Sequence, residues 1–231
     1  MIAFIGGTSL INSTIFRNWS QKKVQTPYGV VTLKKEQNSI FLQRHGSPPL
    51  PPHQVNHRAN IWAMKHLGVQ EIVAINSVGS LKFTIKPGTF LIPDDFLSLW
   101  HIPTFFDDEM RFMVPCMESD RAAHLYKRCK TLKVPVKQGG IYIQTKGPRL
   151  ETKAEINMLK KFGDIVGMTM ASEVTLCLEV GISYASICSI DNYCHGIVKT
   201  PLTLEEIQEN VRKNSQHIEG LIKSMHRETL R

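Results

Sequence analysis

A chain of 231 residues with 42% hydrophobic content is long enough to bury a sizeable core, and one domain spanning 1–231 is the expected organisation. Its formal charge of +8 suits anionic small substrates, but the Lys and Arg residues are scattered rather than gathered into an aromatic-interleaved stripe, which argues against nucleic acid. No apolar run approaches bilayer length, so no membrane span is expected, and five cysteines at irregular spacings without a C-x-x-C pair point to a reducing cytoplasm and no structural metal.

The opening MIAFIGGTSL lacks a basic region and a cleavage site, so Ile2–Ile5 reads as a buried strand rather than a leader. Further apolar, β-branched runs predict strands at Val30–Leu33, Ser39–Gln43, Glu71–Ser77, Thr89–Pro93, Gly140–Thr145, Ile165–Met168 and Ser183–Ile190. Between them, helical periodicity predicts Asn56–His66, Glu151–Lys161, Glu173–Glu179 and Thr203–Arg227, with Gly68, Gly163 and Gly181 as punctuation. Thr203 followed by Glu206 is a capping-box pattern that fixes the start of the last helix. The stretch His101–Ser119 mixes aromatics, Pro and acids without a period and is expected to be an irregular excursion reaching a substrate or a neighbouring subunit. The alternation predicts an α/β fold: a central mixed sheet flanked by helices.

Three strand ends carry similar chemistry. Gly6-Gly7-Thr8-Ser9 offers backbone N–H groups and a hydroxyl to an anion; Arg44-His45-Gly46 adds a guanidinium fork; Asn76-Ser77-Val78-Gly79-Ser80 is again small and rich in donors. The first of these does not satisfy the dinucleotide fingerprint G-x-G-x-x-G.

The series GGTSL, RHG, PPHQVNHRANIWAMKHLGV, NSVGSL, KPGTFLIPDDF, GPRLETKAEI, GMTMASEVTLCLEVGISYAS and SIDNY resembles the trimeric purine nucleoside phosphorylase and methylthioadenosine phosphorylase family over nearly the whole chain, His101–Arg121 excepted. The resemblance implies a nucleoside phosphorylase-like fold and phosphate contacts from Thr8, Arg44, His45, Ser77, the Val78 backbone and Thr169. It implies that Met168 packs beneath the ribose and that Leu150 makes an aliphatic contact where the family places an aromatic ring. Inorganic phosphate is then a co-substrate, with no cofactor. The resemblance also implies that the glycosidic bond loosens to an oxocarbenium-like sugar before phosphate attacks, so no protein nucleophile is needed. A homotrimer is expected, with a homohexamer as the alternative and a neighbour's residue completing the site.

Glu151 and Asn192 select the base. An ionised carboxylate only accepts, so Glu151 suits the N1–H of a 6-oxopurine and meets adenine N1 acceptor to acceptor. Asn192 and Cys194 stand where the adenine-using branch of the family carries its two aspartates, with Tyr193 between them as a further substrate contact, and the Asn192 carboxamide can donate to N7 or O6 as the base departs. Glu151 and Asn192 are thus the catalytic candidates, with Asp191 the alternative to Asn192. Leu204 and Ile207 offer an apolar wall to a 5'-methylthio group, favouring methylthioinosine, whereas His101, His195 and Glu205 are polar alternatives that keep inosine and guanosine open. A phosphate-independent hydrolase and a non-catalytic nucleoside-binding module are the rival classes.

Overall fold

The computed structural model describes residues 1–100, 102–117 and 119–230. Eleven strands form one mixed sheet among these residues. The strands are β1 (Ile2–Gly6), β2 (Ser20–Thr26), β3 (Gly29–Glu36), β4 (Ser39–Gln43), β5 (Glu71–Ser80), β6 (Phe90–Ile92), β7 (Asp95–Ser98), β8 (Val136–Gln138), β9 (Ile141–Gln144), β10 (Ile165–Gly167) and β11 (Ser183–Tyr193). The helices are α1 (His57–His66), α2 (Ser119–Thr131), α3 (Lys153–Leu159), α4 (Met170–Glu179) and α5 (Leu204–Glu228).

The main path runs β2-β3-β4-β1-β5-β10-β9-β7, while β11 lies alongside β5 and leads to β6 and β8. Strands β4, β1, β5 and β11 are mutually parallel, so their C-terminal ends emerge on one side, where open α/β sheets place their ligands. Period-2 alternation divides the core between two faces. Ala3 and Ile5 join α1 and α4 residues such as Ile61 and Val174 on one face; Ile2 and Phe4 join α2 and α5 residues such as Leu125 and Leu221 on the other.

Caps fix the helix starts. Asn56 accepts from the Ala59 N–H, Thr203 from the Glu206 N–H, and Thr152 with Glu155 forms a complete capping box at α3. Consequently α3 begins after Glu151 rather than at it, leaving that carboxylate on the connection from β9. The predicted Glu173 start of α4 moves back to Met170, and α5 runs one residue beyond Arg227.

Three strands and a helix escape the sequence reading. β2 carries Lys22 and Lys23 and buries only Val24 and Thr26; β7 and β8 are short; α2 is largely polar. The predicted irregular stretch ends where α2 begins, and its described residues between β7 and α2 contain no strand or helix. Four strands run further than predicted, β1 to Gly6, β3 to Glu36, β5 to Ser80 and β11 to Tyr193.

Candidate functional site

A cavity of about 230 Å³ opens at the shared strand ends. Thr8 leaves β1, Arg44 and His45 leave β4, Ser77 and Val78 lie near the end of β5, and Thr169 follows β10; all six line it. So do Leu150, Glu151, Met168, Asn192, Cys194 and Ile207. Twelve expected residues therefore meet in one space, although they come from segments spread across the chain.

Arg44 is 3% exposed and held from behind. Its Nε and Nη2 donate to the Glu173 carboxylate, Nη1 donates to the Ile75 carbonyl at 2.9 Å, and the Tyr184 hydroxyl donates to Glu173 at 3.0 Å. Burial opposes the guanidinium charge, yet Glu173 more than offsets it and raises the pKa of Arg44 above its ordinary value. Three of the five N–H groups are spent on this anchorage, leaving two for a ligand. A Cβ on Gly7 would come within 2.6 Å of Nη1, so the glycine lets this strand end lie against the guanidinium.

The hydroxyls are arranged by their neighbours. Thr169 Oγ1 accepts from Asn76 Nδ2 at 3.0 Å, and Asn76 Oδ1 in turn accepts from Ser186 at 2.7 Å, so the Thr169 proton remains to be donated. Thr8 Oγ1 donates to Ser77 Oγ at 2.9 Å. His45 Nδ1 lies 2.8 Å from the Leu50 carbonyl, which requires the proton on that nitrogen and leaves Nε2 an acceptor while the ring is neutral. Burial lowers its pKa, with Arg44 adding to the effect, so His45 must gain a proton before it donates from both nitrogens.

On the opposite wall, Glu151 Oε1 accepts from Thr145 Oγ1 at 2.6 Å, which fixes the carboxylate and leaves Oε2 as the acceptor to be satisfied. Asn192 donates one N–H to the Tyr193 carbonyl at 2.9 Å and keeps another. A bulge in β11 shifts the register between Ile190 and Asn192, and Asp191 and Asn192 both line the cavity, where plain alternation sends neighbours to opposite faces.

Two expected residues stand apart. The Tyr193 hydroxyl donates to the Phe83 carbonyl and its ring stacks on Phe83, a partner available only outside the cavity. Leu204 is 65% exposed in an adjoining hollow, because the Thr203 cap places it at the first, outward position of α5. Among the polar alternatives, His195 lines the main cavity, Glu205 is exposed, and His101 lies outside the described residues. Leu202 and Pro52 also contribute apolar lining that the sequence reading missed; neither follows a strand end or carries polar chemistry.

The sequence and the fold recur in known proteins. Residues 2–227 match the model of the phosphorylase superfamily, and the chain belongs to that family. It is 40% identical to a probable S-methyl-5'-thioinosine phosphorylase from Methanocaldococcus jannaschii, covering 94% of this chain and 88% of the relative. It is 36% identical to a probable 6-oxopurine nucleoside phosphorylase from Archaeoglobus fulgidus, covering 94% and 91%. Among solved structures, methylthioadenosine phosphorylase from Schistosoma mansoni in complex with adenine superposes with a TM-score of 0.84 at 27% identity, covering 96% of this chain and 88% of that one.

Proposed function

We propose that the chain cleaves 6-oxopurine nucleosides with inorganic phosphate in purine salvage, S-methyl-5'-thioinosine being the favoured substrate and hypoxanthine and 5-methylthioribose 1-phosphate the products. The observation that carries this reading is the convergence in one cavity of anion donors from separate strand ends with a carboxylate whose free oxygen can only accept. Relatives named for 6-oxopurine nucleosides and for methylthioinosine support the same substrate class. Thr8, Arg44, His45, Ser77, the Val78 backbone and Thr169 hold phosphate, and Met168 packs beneath the sugar. Glu151 and Asn192 bind the base and stabilise it as it leaves. No cofactor takes part in this scheme.

The test is turnover of methylthioinosine, inosine, guanosine and methylthioadenosine with and without phosphate. Methylthioinosine should be cleaved fastest and only with phosphate. Phosphate-independent cleavage would support a hydrolase, and tight binding without turnover a sensing module.

Ile207, Leu202 and Met168 support the methylthio preference by giving the cavity an apolar side, while Leu204 contributes nothing to it. Ile207→Asn should therefore lower kcat/KM for methylthioinosine roughly fivefold and spare inosine, since each buried methyl-sized group is worth about 1 kcal/mol. Leu204→Ala, at an exposed position, should change either substrate by no more than about twofold.

A homotrimer, with a hexamer as the alternative, is supported by Met110, Phe112 and Val114, which are 92%, 88% and 89% exposed in the stretch between β7 and α2. Light scattering should give at least three times the chain mass of 26.2 kDa, and Phe112→Asp should reduce it. A cytoplasmic setting is supported by five unpaired cysteine thiols.

A further inference from the structure

One carboxyl group in the cavity has no role in the scheme above. Asp191 is 1% exposed, lines the cavity, and occupies the β11 bulge. Its Oδ1 accepts from Ser189 Oγ at 2.5 Å and from Asn214 Nδ2 at 3.2 Å, whereas the buried Oδ2 accepts no well-formed hydrogen bond. The Ser77 hydroxyl stands close enough to favour the carboxylate, and Ser77 is also the acceptor of the Thr8 hydroxyl. Thus Thr8 and Ser77, two of the groups offered to phosphate, lead toward an incompletely satisfied acid.

We infer that Asp191 is the proton-holding member of the anion site: an incoming oxyanion takes the Thr8 and Ser77 hydroxyls, and Asp191 Oδ2 captures one proton from water and joins the site as a neutral hydrogen-bond donor. The inference rests on the reading of Thr8 and Ser77 as phosphate contacts. Its physical basis is that a buried carboxylate that loses the Ser77 donor and is set beside an anion is doubly penalised, by desolvation and by like charge. Protonation removes both penalties and turns an acceptor into a donor.

Burial already raises the pKa of Asp191 to about 6, with Ser189, Ser77 and Asn214 opposing the rise. The other charged or titratable groups lining the cavity are Arg44 and His45 from the end of β4, Glu151 before α3, and Cys194 and His195 at the end of β11. Cys188 on the same strand also interacts with it, while α5 presents only the amides of Asn210 and Asn214 at this point. Of these, His45 and His195 are the other groups whose proton uptake an anion would promote, so the contributions of both must be separated.

Sulfate, a dianion throughout the neutral range, is the probe, because phosphate itself titrates there. Isothermal titration at about pH 7.5 in buffers of different ionisation enthalpy reports the protons taken up, and the wild-type protein should take up roughly half a proton or more per sulfate. Asp191→Asn should lower that number by roughly half a proton or more, whereas His45→Gln should retain the Asp191 share. Above about pH 6.5 the sulfate affinity of a variant carrying His45→Gln and His195→Gln together should fall by up to about tenfold per pH unit, a measurement that decides the matter if Asp191→Asn does not fold. Equal uptake by wild type and Asp191→Asn, or a flat affinity profile in the variant lacking both histidines, would overturn the inference. Failure of the wild type to bind sulfate would overturn the anion-site reading and the inference together. Proton-linked sulfate binding without phosphate-dependent turnover would sink phosphorolysis alone and leave the role of Asp191 standing.

Discussion

Arg44→Met should abolish measurable phosphorolysis and also destabilise the fold, and the second effect can be removed without restoring the first. The guanidinium and the Glu173 carboxylate are both almost fully buried, 3% and 1% exposed, so deleting one leaves an uncompensated charge in the interior. Breaking such a pair costs about 3–5 kcal/mol, enough to lower the melting temperature by several degrees. Glu173→Gln in the same chain removes the stranded charge while keeping an acceptor for the Tyr184 hydroxyl, so the double variant should recover most of the lost stability. Its turnover should remain down by about a thousandfold or more, because the cation that meets the anion is still missing. Thermal melts and phosphate-dependent kinetics on the two variants check both halves. Recovery of activity along with stability would show that Arg44 serves only the fold.

The same residue shows what the amino-acid order conveys about this site. Arg44-His45-Gly46 after an apolar run announces an anion contact by residue type alone, and the strand ends at Thr8 and Ser77 do likewise; the parallel pairing of β4, β1, β5 and β11 then brings them together. What holds Arg44 in place lies in Glu173, 129 residues away, and nothing near either residue marks them as partners. Edge strand β2 was illegible for a related reason. It buries one side only and takes its pairing from the Thr26–Gly29 hairpin with β3, so its own sequence is polar. The β11 bulge is a third case, since strict alternation assigns Asp191 and Asn192 to opposite faces and only the register against β5 reveals that both reach the cavity.

Glu151→Gln should reverse the base preference rather than merely weaken binding. In the wild-type protein Thr145 Oγ1 donates to Glu151 Oε1, and the remaining carboxylate oxygen accepts from the N1–H of a 6-oxopurine. The other acceptor within reach of Thr145 Oγ1, the Gly167 carbonyl, lies at 3.5 Å against 2.6 Å for Glu151, so a glutamine in that place should go on accepting the Thr145 proton, which commits its carbonyl oxygen to Thr145 and turns its NH2 group into the cavity. That donor faces the N1 acceptor of an adenine nucleoside and clashes with N1–H of an oxo base. Each mismatch is worth about 1–3 kcal/mol, so kcat/KM for methylthioinosine should fall by roughly 5- to 150-fold while that for methylthioadenosine rises. Thr145→Val added to Glu151→Gln frees the amide to rotate, and the preference between the two bases should then narrow toward parity. If Glu151→Gln leaves the ratio of the two substrates unchanged, the carboxylate is not the group that reads N1; if the reversal survives Thr145→Val, Thr145 is not what orients it.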